Sequence, residues 1–163
     1  MREWLSWLSV EYADQIEMTL RLCGAAVAGM MVGINRDIRD KPIGMRTLGL
    51  VALGSAIVIL SGSAYERLHF DQAAVSRVVQ GIMTGLGFLG AGAILRNRDR
   101  MQVHGLTTAA TVWIAAGLGI AAGLGAWFVT IAGTLVTLFL LIVGKGIEDW
   151  LVTLFGGDKN SDG

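Results

Sequence analysis

Charge is scarce in this chain. Asp, Glu, Lys and Arg make up 16% of its 163 residues, against roughly 25% in an ordinary soluble domain. Thirteen bases balance thirteen acids, so no global charge points to nucleic acid or to an acidic partner. Cysteine occurs once, at Cys23, which excludes an intramolecular disulfide and any metal site built on paired cysteines. The residue reads as a small apolar side chain. Proline also occurs once, at Pro42. The opening MREWLSWLSVEYADQ lacks the basic n-region of a secretory signal, so the first apolar span is expected to stay in the mature chain.

What the sequence does contain is apolar residues in long runs. Five stretches of about 18 residues or more are each long enough to cross roughly 30 Å of hydrocarbon as helix: residues 16–33, 45–63, 78–95, 105–122 and 126–143. The expected fold class is therefore all-α, a polytopic membrane protein of five transmembrane helices. Residues 1–15 read as an interfacial segment, with Trp4, Leu5 and Leu8 on one helical face and Trp4 and Trp7 suited to the bilayer interface. Residues 16–144 form the membrane domain. Residues 145–163 read as a short tail with no further soluble domain.

Lys and Arg are unevenly placed. Arg36, Arg39, Lys41, Arg46, Arg96, Arg98, Arg100, Lys145 and Lys159 fall on one side of a five-span topology, and Arg2, Arg21, Arg67 and Arg77 on the other. The positive-inside rule then puts the N-terminus outside and the C-terminus in the cytoplasm.

The stretch GLGFLGAGA (85–93) contains a literal G-x-G-x-x-G at Gly85, Gly87 and Gly90. A dinucleotide fingerprint needs a preceding strand, a soluble β-α-β unit and an acidic residue about 20 positions on. None is present, because the motif lies inside an apolar span and no acid occurs between Asp99 and Glu148. On a helix, Gly81, Gly85 and Gly92 share one face and Gly87 and Gly90 the opposite one. Small residues let helices approach closely in lipid, so this third span is expected at the centre of the bundle. Matching small stripes occur at Ala25, Gly29 and Gly33, at Gly49, Ala52 and Ala56, and from Gly105 along the fourth span. The fifth span reads as peripheral. Thr107, Thr108 and Thr111 either bond backbone carbonyls locally or line a polar track.

Chemistry is expected where charge meets tight packing, in NRDIRDKPIGMRT (35–47). Asp37 follows the end of the first span, where the helix dipole disfavours a carboxylate, and is expected to have a basic partner such as Arg46 or Arg96. Arg46 and Thr47 lie one turn inside the second span, deeper than topology signalling requires. Arg96 and the start of the fourth span, with Thr107 and Thr108, are expected to face this loop in one polar patch.

The motifs GINRDIRDKPIGMRT, RVVQGIMTGLGFLGAGAILR and VHGLTTAATVWIAAGLGIAAG, in this order, resemble the MgtC/SapB family of bacterial inner-membrane proteins over about residues 20–125. The resemblance implies a five-span protein linked to growth in low magnesium, to survival of pathogens in host cells, and to effects on ATP synthase. It matches Arg36, Lys41, Pro42, Gly44, Arg46 and Thr47 in the loop, Gly81, Gly85, Gly87, Phe88, Gly90, Gly92 and Arg96 in the third span, and Gly105, Leu106, Thr107, Thr108 and Trp113 in the fourth. Asn35 stands where members commonly carry Glu, and Asp37 replaces a second Glu, which weakens a cation site and leaves Asp37 as its one candidate ligand.

Three function classes follow. The first is a regulator of magnesium homeostasis that uses the basic patch (Asn35, Arg36, Asp37, Lys41, Arg46, Thr47, Arg96, Thr107, Thr108) on an anionic ligand or on a membrane partner such as ATP synthase or a transporter. The second is a transporter or channel-like homo-oligomer for Mg²⁺ or another small solute, although no carboxylate lies mid-span. An enzyme is not expected, since His69 and His104 fall on opposite sides and no nucleophile-base pair is visible. No resident cofactor is expected; Mg²⁺ enters only as ligand or substrate.

Overall fold

Five helices form where the apolar runs lie. The computed structural model describes residues 2–63, 71–97 and 102–155. The elements are α1 (Arg2–Asp37), α2 (Met45–Ser63), α3 (Gln72–Ala93), β1 (Leu95–Asn97), β2 (Gln102–His104), α4 (Leu106–Gly123) and α5 (Trp127–Phe155). All five helices are long and apolar enough to cross a membrane. Two of them outrun the expected spans. α1 runs without a break from Arg2 through the segment read as interfacial, and α5 continues to Phe155, into the segment read as a tail.

The boundaries have local causes. α1 stops short of Pro42, whose ring bars the preceding residues from helix. α3 starts at Asp71, whose carboxylate accepts from the Ala73 and Ala74 N–H groups at 3.3 and 3.1 Å. α4 starts at Gly105, with φ +94°, where an added Cβ would overlap the Ala93 carbonyl oxygen. Only glycine meets both demands, so the end of α3 and the start of α4 are held against each other. α4 ends in a Schellman turn: Ala126 N–H donates to Ala121 O and Gly125 N–H to Ala122 O, both at 2.9 Å, with Gly125 at φ +75°.

α4 is the central element, packed against α1, α2, α3 and α5. Eleven of its residues are buried, among them Thr108, Thr111, Val112, Ala115, Ala116 and Gly119. The core is made of small side chains: Ala25, Ala28 and Val32 from α1, Leu48, Ala52 and Ala56 from α2, and Ala115, Ala116 and Ala122 from α4. Glycine brings main chains into contact there. A Cβ at Gly29 would overlap the Leu48 carbonyl oxygen, one at Gly33 the Met45 main chain, and one at Gly119 the Ala52 carbonyl oxygen.

The third span is not the centre of the bundle. α3 has no buried residue, and it packs chiefly on α4, with a smaller contact to α2. A Cβ at Gly81, Gly85, Gly87 or Gly92 would meet nothing within 4 Å, and one at Gly90 only the Ala109 Cβ at 3.8 Å. Small residues permit close approach but do not compel it. α3 also carries Ile82, Leu86, Phe88 and Leu89, and Phe88 is 84% exposed; α4, rich in Ala, Gly and Thr, fills the central position instead.

The connection from α3 to α4, read as a basic loop, is a β-hairpin. β1 and β2 pair antiparallel with Leu95 opposite His104, Arg96 opposite Val103 and Asn97 opposite Gln102. Arg98, Asp99 and Arg100 lie outside the described residues, as do Arg67, His69 and Lys159.

Candidate functional site

Arg36 is the centre of the basic end of the bundle, where α1 finishes and α2 and α4 begin. It sits in the last turn of α1, and only 3% of its surface is exposed. Its Nε donates to the Ile43 carbonyl at 3.0 Å, and its Nη2 to the Pro42 carbonyl at 2.7 Å and to Thr108 Oγ1 at 2.5 Å. One guanidinium thus fastens the α1–α2 loop and ties it to α4. Thr111 Oγ1 donates to the Thr108 carbonyl at 2.8 Å, a local bond within the helix.

The loop is drawn into an unusual path to make these contacts. Ile43 has φ +63° and Asp40 φ +49°. The left-handed region is a true outlier for a β-branched residue, worth about 1–3 kcal/mol of strain. Its neighbours hold it there, because the carbonyls of Pro42 and Ile43 are the two that Arg36 grips.

Asp37 has two expected basic partners, of which Arg96 has its side chain outside the described positions. Its carboxylate accepts from the Met45 N–H at 2.9 Å and so caps α2 from the preceding helix. It forms no ion pair with Arg46 among the described residues. Gly44 makes room for it, since a Cβ there would overlap the carboxylate.

The remaining candidates spread around this centre. Lys41, Arg46, Thr47 and Thr107 are exposed, and Asn35 is half-buried. Arg39, also exposed, donates from Nη2 to the Ile142 carbonyl of α5 at 3.2 Å. Arg96 and Asn97 belong to β1, beside the start of α4, with their side chains outside the described positions. Loop and α4 start therefore meet through Arg36 and Thr108. Within the patch, however, Arg36 and Thr108 are buried and bonded to the protein, while Lys41 and Arg46 are the outward-facing cations.

A second buried arginine lies at the other end. Arg21, 8% exposed, pairs with Glu17 one turn earlier at 2.6 Å and donates from Nη1 to the Gly123 carbonyl at 3.1 Å. A cation there meets the negative end of the α4 dipole. The guanidinium lies against Gly125, where an added Cβ would fall 2.6 Å from Nη2. In the sequence Arg21 counts only among the cations on the side opposite the basic loop. The signal was the Glu-to-Arg spacing of four, which places both on one helix face. Trp127 covers the same end, its ring within 2.6 Å of a Cβ built at Gly24.

These features define the class: a multi-pass membrane protein whose five helices close around a small-residue core, with a basic loop stapled by a buried arginine at one end. The MgtC family model matches residues 22–150, and the chain belongs to that family. It is 41% identical over 147 residues to Protein SrpB of Synechococcus elongatus, covering 83% of this chain and 79% of that one. To Protein SapB of Bacillus subtilis it is 34% identical over 162 residues, covering 95% and 64%. To Protein MgtC of Salmonella typhimurium it is 40% identical over 119 residues, covering 73% of this chain and 48% of that protein. The match thus spans about half the length of the Salmonella relative. No solved structure matches the chain.

Proposed function

We propose that this protein serves magnesium homeostasis from the bacterial inner membrane as a regulator, engaging an anionic ligand or the acidic surface of another membrane protein through its basic end. In this reading the basic end faces the cytoplasm, as the distribution of Lys and Arg requires. The observation that carries it is the contrast at that end: Lys41 and Arg46 are exposed and engage no partner among the described residues, around a loop that Arg36 holds in one shape. Exposed cations on a rigid support suit recognition of phosphate or carboxylate.

The interior favours a regulator over a single-chain conduit. α1, α2 and α4 meet main chain to main chain at Gly29 and Gly119. The buried threonines of α5 bond the carbonyls one turn earlier, Thr134 to Thr130 and Thr137 to Gly133, both at 2.7 Å, rather than facing a shared track. The protein is proposed to act by binding, without enzymatic chemistry.

Two assays test this together. Deleting the gene should slow growth in low magnesium, with rescue by the wild type and not by Arg46→Ala. Purified protein in liposomes holding a Mg²⁺-sensitive dye should pass no Mg²⁺ above the empty-vesicle rate. A Mg²⁺ flux that disappears in Arg46→Ala or Thr108→Val would establish the transporter instead.

A further inference from the structure

We propose that the basic end holds a binding site for a phosphate-class oxyanion, centred on the free edge of the Arg36 guanidinium and the Thr108 hydroxyl at the start of α4; this rests on the reading of that end as the working face. Arg36 has five N–H donors. Three bonds leave from Nε and Nη2, and the two hydrogens of Nη1 have no acceptor among the described residues. No fully buried side-chain nitrogen or oxygen among the described residues lacks a partner, so Nη1 is where the guanidinium opens to the outside. The Thr108 hydroxyl, 5% exposed, accepts from Arg36, and its own proton likewise meets no acceptor among the described residues.

Arg36 forms no ion pair among the described residues. All three of its acceptors are neutral, and the nearest acid in sequence, Asp37, turns its carboxylate to the Met45 N–H. Arg21 at the opposite end shows the alternative, with Glu17 at 2.6 Å. A buried cation without a counter-charge is among the least favourable arrangements in a protein interior. Among the described residues a paired counter-charge stands at one end and not at the other.

The surroundings add to the demand. α4 begins at Gly105, which offers no side chain to cap the first N–H groups, so its positive dipole end is open beside Thr108. Lys41 and Arg46 are exposed on the same end; Asp37 and Asp40, also exposed, are acids that oppose them. At Arg36 and Thr108 the groups left unengaged among the described residues are donors. Such donors suit a tetrahedral oxyanion better than a bare divalent cation, because it takes a guanidinium edge, a hydroxyl and helix N–H groups together. A lipid phosphate headgroup and a free phosphate present the same chemistry.

The test uses the full chain in a phosphate-free non-ionic detergent, titrated in separate arms with inorganic phosphate and with phosphatidic acid, with diacylglycerol as the uncharged control. Binding is read by ³¹P line broadening and by the shift in melting temperature. Saturable binding in either arm, weakened about tenfold or more by Thr108→Val and by Arg36→Lys, supports the site; saturation by inorganic phosphate assigns a solute, and saturation by phosphatidic acid alone assigns a headgroup. Absence of saturation in both arms for a folded wild type overturns it. So does binding that Thr108→Val leaves unchanged, and this holds even where Arg36→Lys fails to fold. Growth in low magnesium is scored separately. Phosphate binding without a growth phenotype removes the homeostasis reading and keeps the site, whereas rescue of growth without phosphate binding removes the site alone.

Discussion

Gly117 and Gly119 lie two residues apart in α4 and face opposite fates. A Cβ at Gly117 would meet nothing within 4 Å, while one at Gly119 would overlap the Ala52 carbonyl oxygen and lie 2.7 and 2.8 Å from the Ala52 carbonyl carbon and Cα. Both Gly→Ala changes gain the same helix propensity, about 0.8–1 kcal/mol. At Gly119 the new methyl presses on main chain, which cannot rotate away, so α4 and α2 must part by on the order of 0.5–1 Å. Such a gap forfeits a quarter to a half of each affected dispersion contact, and overpacking of this kind costs about 1–3 kcal/mol. Gly117→Ala should therefore be neutral or stabilising by up to ~1 kcal/mol, and Gly119→Ala destabilising by up to about 2 kcal/mol net. The difference between the two isolates the steric cost, because propensity cancels. Reversible unfolding in mixed micelles, followed by far-ultraviolet circular dichroism, measures both. Equal stabilities would refute the placement of α4 against α2.

Thr108→Val should lower stability by about 2 kcal/mol, the worth of a hydrogen bond to a charged group, whereas Thr134→Val, which loses only a bond to its own helix, should lower it by under ~1 kcal/mol; the same unfolding assay compares them. Gly29→Ala should destabilise by about 1–3 kcal/mol through its collision with the Leu48 carbonyl, while Gly85→Ala, with open space around it, should leave the single chain unharmed; a loss at Gly85 would place a neighbour against α3. Arg21→Met should cost about 2 kcal/mol by releasing the Gly123 carbonyl and should speed proteolysis at the α4–α5 turn, with an unchanged cleavage rate counting against the staple.

The spans were legible because burial in lipid writes itself into composition. A run such as 45–63 can only be helix where no water satisfies its backbone, and α2 keeps those same bounds. The centre of the bundle was misjudged because a glycine stripe states what a helix face permits, not which neighbour takes it. α3 and α4 both carry such faces, and the larger side chains of α3, Phe88 above all, favour its place at the rim. The paired strands Leu95–Asn97 and Gln102–His104 were missed because three residues per strand are too few for alternation to register. At the site, residue types in NRDIRDKPIGMRT drew attention to the right segment. Which of its cations turns inward is set by a contact between Arg36 and Thr108 that is 72 residues long in sequence, and no local pattern encodes it.

The two buried arginines show how the same residue type serves opposite ends of one bundle. Each lies on α1 and each reaches α4, so α1 is fastened to the central helix near both of its ends. At Arg21 the fastening meets the α4 C-terminus, where carbonyls and the helix dipole attract a cation, and Glu17 completes the neutralisation. At Arg36 it meets the α4 N-terminus, where the dipole repels a cation and no carboxylate is paired with it among the described residues. A purely structural fastening would be better made there by an acid, which the helix start would welcome. The arginine is held in that place by the C-terminal end of α1 and by two main-chain carbonyls on a strained loop. Strained backbone of this kind clusters where a molecule binds, and the guanidinium edge left without an acceptor among the described residues is where an anion would complete the arrangement.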